Sequence, residues 1–212
     1  MQALEIVKQM YEAERVQAHI VNEPQTLRIL FLAANPTSQS RLDLEREARD
    51  LERELRGVRF RDQIRLIPRY GISPDDLLRY VEEEQPNVVH FSGHGSKNGI
   101  IFRADDSNDF HVVRGDDLRR FFEDRGVDLV VLNACYSVSQ AQAIQASVPA
   151  VVGTGDAVGD EAARRFTVAF YRSLGNGMTV RRAFRSGTDA VRLYGLQDVF
   201  HSMGGLDQTL VA

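Results

Sequence analysis

The chain has one cysteine in 212 residues, Cys135, so no internal disulfide can form, and a reducing cytoplasm is the natural setting. It has no run of about 18 apolar residues, the length a helix needs to cross a bilayer, so no membrane partner is expected. The opening stretch MQALEIVKQMYEAER carries acidic residues and no apolar stretch, and does not read as a secretory signal. Positive charge is not in excess: 26 Lys and Arg against 30 Asp and Glu leave a net charge of -4. That argues against a general phosphate-binding surface, and no nucleic-acid partner is expected. The histidines are scattered, with no H-E-x-x-H and no paired-cysteine spacing, so neither a metal nor another cofactor is expected. SGHGSKNG and GTGDAVG are glycine-rich, but neither forms G-x-G-x-x-G leading from the first strand into its helix, and G-x-x-x-x-G-K-[ST] is absent. Both facts weigh against nucleotide binding. CYSVSQAQ lacks the arginine that a phosphatase-type cysteine loop needs.

What is present is an ordinary globular composition, 43% hydrophobic and 26% charged, enough for one good-sized domain. Leu4, Val7 and Tyr11 predict a helix within residues 1–24, a cover for the sheet edge or a docking element, ahead of a main domain over 25–212. Beyond Pro24, apolar strands alternate with amphipathic helices. TLRILFLAAN, QIRLIPRY, NVVHFSG, DLVVLNA and AVVGTG read as five core strands. Leu44, Ala48, Leu51 and Leu55 share one face of a helix over 43–57 that Gly57 ends. Ser73 and Pro74 open a second helix. GIIF and HVV form a hairpin across RADDSNDF, and GDDLRRFFED and SVSQAQAI are helical. Phe166, Ala169, Phe170 and Leu174 line a helix ended by Gly175, and a last helix covers about 179–193. Such alternation predicts an α/β fold, a mostly parallel sheet with helices on both faces.

Ligands of open parallel sheets bind beyond the carboxyl ends of the strands. His94 follows the third core strand and Cys135 the fourth. A thiol becomes a strong nucleophile as the thiolate, and an imidazole beside it can take the proton. The glycines flanking His94 would let the backbone turn and leave room for a substrate. The N–H groups of Gly95 and Cys135 could together hold a developing oxyanion. Against this stands the common fate of a lone cysteine as a small buried hydrophobe. His90, inside an apolar strand, reads as a packed or hydrogen-bonded core residue.

The blocks VVHFSGHGSKNGIIF and DLVVLNACYSVSQAQAI resemble the His and Cys blocks of CHAT domains, the caspase-like cysteine peptidases related to caspases, metacaspases, gingipains and separase. ILFLAANPTSQSRLDLEREARDLEREL and VVGTGDAVGDEAARRFTVAFYRSLGNG resemble the first strand and helix and the segment after the fifth strand of that family. The likeness runs over about residues 27–190, in the family's order. It implies a caspase-like three-layer sandwich and a Cys-His dyad that cleaves protein substrates, with His94 as the catalytic histidine and Cys135 as the nucleophile. It also implies a setting in bacterial conflict or programmed death, with a gasdermin-like or other effector as substrate and a sensor or adaptor as partner. A second reading keeps the fold as a catalytically silent adaptor.

Three charged residues are candidates for the pocket that takes the side chain before the cut. Asp156 lies just beyond the fifth strand, Asp160 near the next helix, and Arg41 after the first strand. Asp160 also stands where a helix N-cap belongs, and Arg41 has Glu45 four residues on as an alternative partner. An aspartate in the pocket would favour a basic residue before the cut, an arginine an acidic one. The expectation is a basic or uncharged residue.

Overall fold

The computed structural model describes residues 26–34, 43–104 and 109–212. The helix expected within 1–24, the loop holding Arg41 and the middle of the 103–110 turn lie outside the described residues.

The first strand, β1 (Leu27–Ala34), is buried along almost its whole length, as expected for a central strand apolar on both faces. Helix α1 (Leu44–Leu55) follows, started by the Asp43 side chain accepting from the Arg46 N–H. Strand β2 (Ile64–Tyr70) precedes α2 (Pro74–Glu84), which opens on a full capping box between Ser73 and Asp76 with Pro74 at its first position. Strand β3 (Val88–Gly93) leads through His94 into a small antiparallel sheet of β4 (Gly95–Ser96), β5 (Gly99–Arg103) and β6 (Phe110–Val113). Helix α3 (Gly115–Phe122), strand β7 (Leu129–Asn133), helix α4 (Val138–Ile144) and strand β8 (Ala150–Thr154) come next. Helices α5 (Asp160–Gly175) and α6 (Val180–Leu193) and strand β9 (Phe200–Gly204) complete the described chain.

The main sheet has the order β2-β1-β3-β7-β8-β9. Its first five strands are parallel and β9 is antiparallel to β8. Helices α1, α5 and α6 pack on one face, around Phe31, Val131, Phe166 and Phe170. Helices α2, α3 and α4 cover the other, around Leu32, Phe91, Phe102 and Val130. The expected α/β sandwich with helices on both faces is therefore the observed one. The chain runs from β1 outward to β2 and then back across to β3, so the strand order reverses between β1 and β3. A crevice forms at such a reversal. Among the described residues no helix is long and apolar enough to cross a membrane.

Two details depart from the sequence reading. Strand β9 was not expected, because VFHSMGG has weak alternation and its outer residues are exposed. It is held by Phe200, whose ring stacks on Phe166 of α5 at 3.9 Å and 7°. Helix α5 also does not end because of Gly175. That residue lies inside the last turn, where a Cβ would come within 2.6 Å of Val58 Cγ2. The left-handed turn that follows is made by Gly177, at φ 79°.

Candidate active site

Strands β3 and β7 are hydrogen-bonded neighbours, with Ser92 opposite Asn133. His94 and Cys135 each stand two residues further along. The two therefore leave the sheet at the same level, from adjacent strands, at the carboxyl edge. Both are partly exposed. They line one open cavity of about 460 Å³, together with the start of α1 and the segment from Val158 into α5.

The glycines around His94 serve close packing rather than flexibility. A Cβ on Gly93 would lie 2.5 Å from the Ala34 carbonyl oxygen and 3.1 Å from the Phe91 ring. A Cβ on Gly95 would overlap the carbonyl oxygen of Cys135 and press on Ala134. The histidine segment thus lies directly against the cysteine segment. Gly95 has a second property. The Ile101 N–H donates to the His94 carbonyl at 3.0 Å, which makes Gly95 and Ile100 the non-hydrogen-bonded pair of the β4–β5 ladder. The Gly95 N–H consequently points away from β5.

The turn that carries Cys135 is fastened from below. Ser137 Oγ donates to the Leu132 carbonyl at 3.0 Å and accepts from the Thr154 N–H at 2.9 Å. Thr154 Oγ1 donates to the Ala134 carbonyl at 2.5 Å. Tyr136, next to the sulfur, has φ 56°, a left-handed conformation unusual for a bulky side chain. Its N–H donates to the Asp156 carbonyl at 3.2 Å. The Asp156 charge and its hydrogen bond to the phenol raise the Tyr136 pKa. The sulfur accepts from the Val158 N–H at 3.4 Å and lies 3.8 Å from the Val158 carbonyl.

Beneath this pair lies a buried carboxylate. Glu47, on α1, is 4% exposed. Its Oε2 accepts from Ser92 Oγ at 2.6 Å. Its Oε1 accepts from Asn133 Nδ2 at 2.8 Å and from Thr167 Oγ1 at 2.7 Å. His90 Nε2 stands 3.4 Å from the same oxygen, without the alignment of a hydrogen bond. The His90 ring stacks on Phe31 at 4.8 Å, and its Nδ1 meets the Tyr171 hydroxyl at 3.1 Å. Burial disfavours the Glu47 charge, but the contacts with His90, Ser92 and Thr167 outweigh it and hold the carboxyl below its ordinary range. Burial, with the Glu47 charge nearby, pushes the Tyr171 phenol well above its ordinary value. Because Nδ2 of Asn133 faces Glu47, its Oδ1 faces elsewhere, buried and without a partner among the described residues. Glu47, Ser92 and Asn133 all line the cavity.

The sequence reading missed this network. The signal was available: Glu47 is three residues after Leu44 and four before Leu51, on the apolar face of its own helix. His90 is a packed, hydrogen-bonded core residue, as expected.

The three specificity candidates fall in different places. Asp160 lines the cavity. It is not the helix N-cap: Gly159 holds that position without a side-chain capping bond, and Asp160 is the first helical residue. Its carboxylate is therefore not consumed by capping. Asp156 is not among the cavity-lining residues; its Oδ1 accepts from the Ala157 N–H at 2.7 Å. Arg41 lies outside the described residues. Three other arginines line the cavity, Arg46, Arg164 and Arg165. Each faces a carboxylate, Asp43 at 3.9 Å, Asp50 at 3.1 Å and Glu161 at 3.3 Å respectively.

Solved structures share this architecture. Caspase-1 from Spodoptera frugiperda aligns over 87% of this chain and 88% of its own, at TM-score 0.57 and 12% identity. The Drosophila initiator caspase Dronc aligns over 88% and 83%, at TM-score 0.52 and 9% identity. RgpB of Porphyromonas gingivalis, solved as a complex of pro- and mature domains, aligns over 90% of this chain and 49% of its own, at TM-score 0.57 and 13% identity. The fold is caspase-like. Within that fold the chain belongs to the CHAT domain family, whose profile matches residues 5–192. A Roc-COR-CHAT protease from an unknown prokaryotic organism is 28% identical over 178 residues. A probable protease of Gillisia limnaea (strain DSM 15749 / LMG 21470 / R-8282) is 25% identical over 159 residues. These alignments cover 79% and 70% of this chain but only 17% and 27% of the relatives' own lengths.

Proposed function

We propose that the chain is a cysteine endopeptidase acting through a dyad of His94 and Cys135. The carrying observation is their emergence at one level from neighbouring strands into one open cavity. Membership of a family with protease-named relatives supports the same reading.

In the first half-reaction His94 takes the thiol proton, and the sulfur adds to the scissile carbonyl carbon. The carbonyl oxygen becomes an oxyanion. The N–H of Gly95, turned away from β5, and the N–H of Cys135 are its donors. The C–N bond breaks as His94 passes its proton to the leaving amine, and a thioester remains on Cys135. In the second half-reaction His94 takes a proton from water as the oxygen attacks the thioester. The acid product leaves and the thiol is restored.

The cavity floor and wall favour a basic or uncharged residue before the cut. The lining arginines face carboxylates, and Asp160, which lines the cavity, has no ion pair among the described residues. An effector protein such as a pore former is the substrate class, in a bacterial conflict or programmed-death system with a sensor or adaptor partner. That setting rests on the family alone.

The test is cleavage of a peptide library and of candidate protein substrates by the wild type and by Cys135→Ala. The expected outcome is loss of cleavage by about a thousandfold or more. Cleavage at the wild-type rate would remove the assignment.

A further inference from the structure

We propose that Glu47 is a positioning residue for the His94–Cys135 pair, its buried carboxylate fastening the ends of β3 and β7 to each other and to α1. This rests on the reading of that pair as the catalytic dyad.

The geometry is specific. Ser92 and Asn133 face each other across β3 and β7, and each stands two residues before its half of the dyad. Strand β3 ends at Gly93 and β7 at Asn133, so each dyad residue leaves its strand just beyond its anchor. One carboxylate reaches both strands: Oε2 takes the Ser92 hydroxyl at 2.6 Å, and Oε1 takes the Asn133 amide at 2.8 Å. A shift of either strand along the other would break one of these bonds. Thr167 adds a third anchor from α5, donating to Oε1 at 2.7 Å. Three elements that converge on the cavity are thereby tied to one side chain of a fourth.

The chemistry of the site explains why a carboxylate stands there. A buried charge is costly to desolvate, and an apolar residue of similar size would close this helix–sheet layer more cheaply. What the carboxylate adds is direction. It accepts donors on fixed lines, whereas apolar contacts tolerate sliding. It also sets the orientation of the Asn133 amide, because only Nδ2 can face an anion. His90, one step further down β3, extends the polar column to Tyr171 and fixes the same strand from below.

The test reads the coupling of the two catalytic groups rather than stability. Iodoacetamide alkylates a thiol without needing a substrate pocket, so the rate at Cys135 at pH 7 is measured in the wild type and in His94→Ala. The wild-type to His94→Ala ratio is expected to be about ten or more, because an adjacent imidazole raises the thiolate fraction. The same ratio is then measured in a Glu47→Ala background, where it falls to within about twofold of one as the pair loses alignment. Glu47→Gln keeps the reach: its oxygen accepts from Asn133 and Thr167 and its amide donates to Ser92. It restores the ratio to within about threefold of the wild type.

A merely structural role would lower the melting temperature of Glu47→Ala and leave the ratio untouched, and that result overturns the proposal. So does a ratio in Glu47→Gln as low as in Glu47→Ala. Should Glu47→Ala fail to fold by circular dichroism, Ser92→Ala decides: a ratio reduced by about threefold or more supports the proposal, and an unchanged one overturns it. A ratio near one in the wild type itself is a separate outcome, which removes the dyad reading and this inference with it.

Discussion

Gly95 lies so close to Cys135 that a side chain of any kind on Gly95 would overlap the Cys135 carbonyl oxygen. The histidine and cysteine segments, 41 positions apart by their numbers (His94 and Cys135), are thus pressed together by backbone contact. Gly95→Ala must push the two segments apart or twist one of them. It is expected to destabilise the fold by about 1–3 kcal/mol and to lower peptide cleavage by about tenfold or more in the fraction that remains folded. Urea denaturation and initial rates on one peptide check both effects. Wild-type rates in Gly95→Ala would mean that the contact does not matter to the chemistry.

Glu47 gives the fold a pH dependence of definite sign. Its carboxyl is held below the ordinary value of 4.5 by His90, Ser92 and Thr167, which outweigh the opposing effect of burial. A depressed carboxyl contributes stability that is fully present above the unfolded value and is lost as the pH falls through the folded one. The stability gap between the wild type and Glu47→Gln is therefore expected to be larger near pH 7 than below about pH 4.5, shrinking as the carboxyl takes up its proton. Glu47→Ala, which leaves three buried donors without their acceptor, is expected to cost roughly 2–4 kcal/mol near pH 7. Urea midpoints at stepped pH check it; a gap that widens toward acid would contradict the assignment of the charge.

The cavity predicts a preference at the residue before the cut. Fluorogenic peptides varied at that one position are expected to be cleaved best with Arg, Lys or an uncharged side chain. Asp160→Asn should weaken the preference for the basic members by about threefold to tenfold in kcat/KM, the range of a partly exposed ion pair. A clear preference for Asp would contradict the reading of the pocket.

Removing Phe200 tests how the sheet edge is held. Its ring stacks on Phe166, and Phe200→Ala is expected to cost about 3–5 kcal/mol, read from thermal or urea unfolding. A cost below about 1 kcal/mol would show that β9 is not anchored through this contact.

The residues reveal the site unevenly. His94 and Cys135 were legible because each follows an apolar run of strand length, and open parallel sheets present such positions at one edge. The flanking glycines were legible as special but not for their reason, because close packing against Cys135 is a long-range contact that local pattern does not encode. Asp160 looked like a cap by its place before an amphipathic run; the helix instead begins one residue earlier, after Gly159, and leaves its carboxylate at the cavity. Glu47 was hidden by its charge. On a helix with seven other charged residues it reads as solvent-facing until its position between Leu44 and Leu51 is weighed. Strand β9 was hidden because an edge strand needs little apolar alternation when one aromatic residue anchors it.

The central claim is that Cys135 is a nucleophile made reactive by His94. It is tested most directly by intact-mass and peptide-mapping mass spectrometry after incubation with a peptidyl acyloxymethyl ketone bearing arginine at its reactive end. The account predicts one adduct, on Cys135, formed rapidly in the wild type and slowed by about a hundredfold or more in His94→Ala. Equal rates in the two proteins, or an adduct elsewhere with Cys135 unmodified, would contradict it.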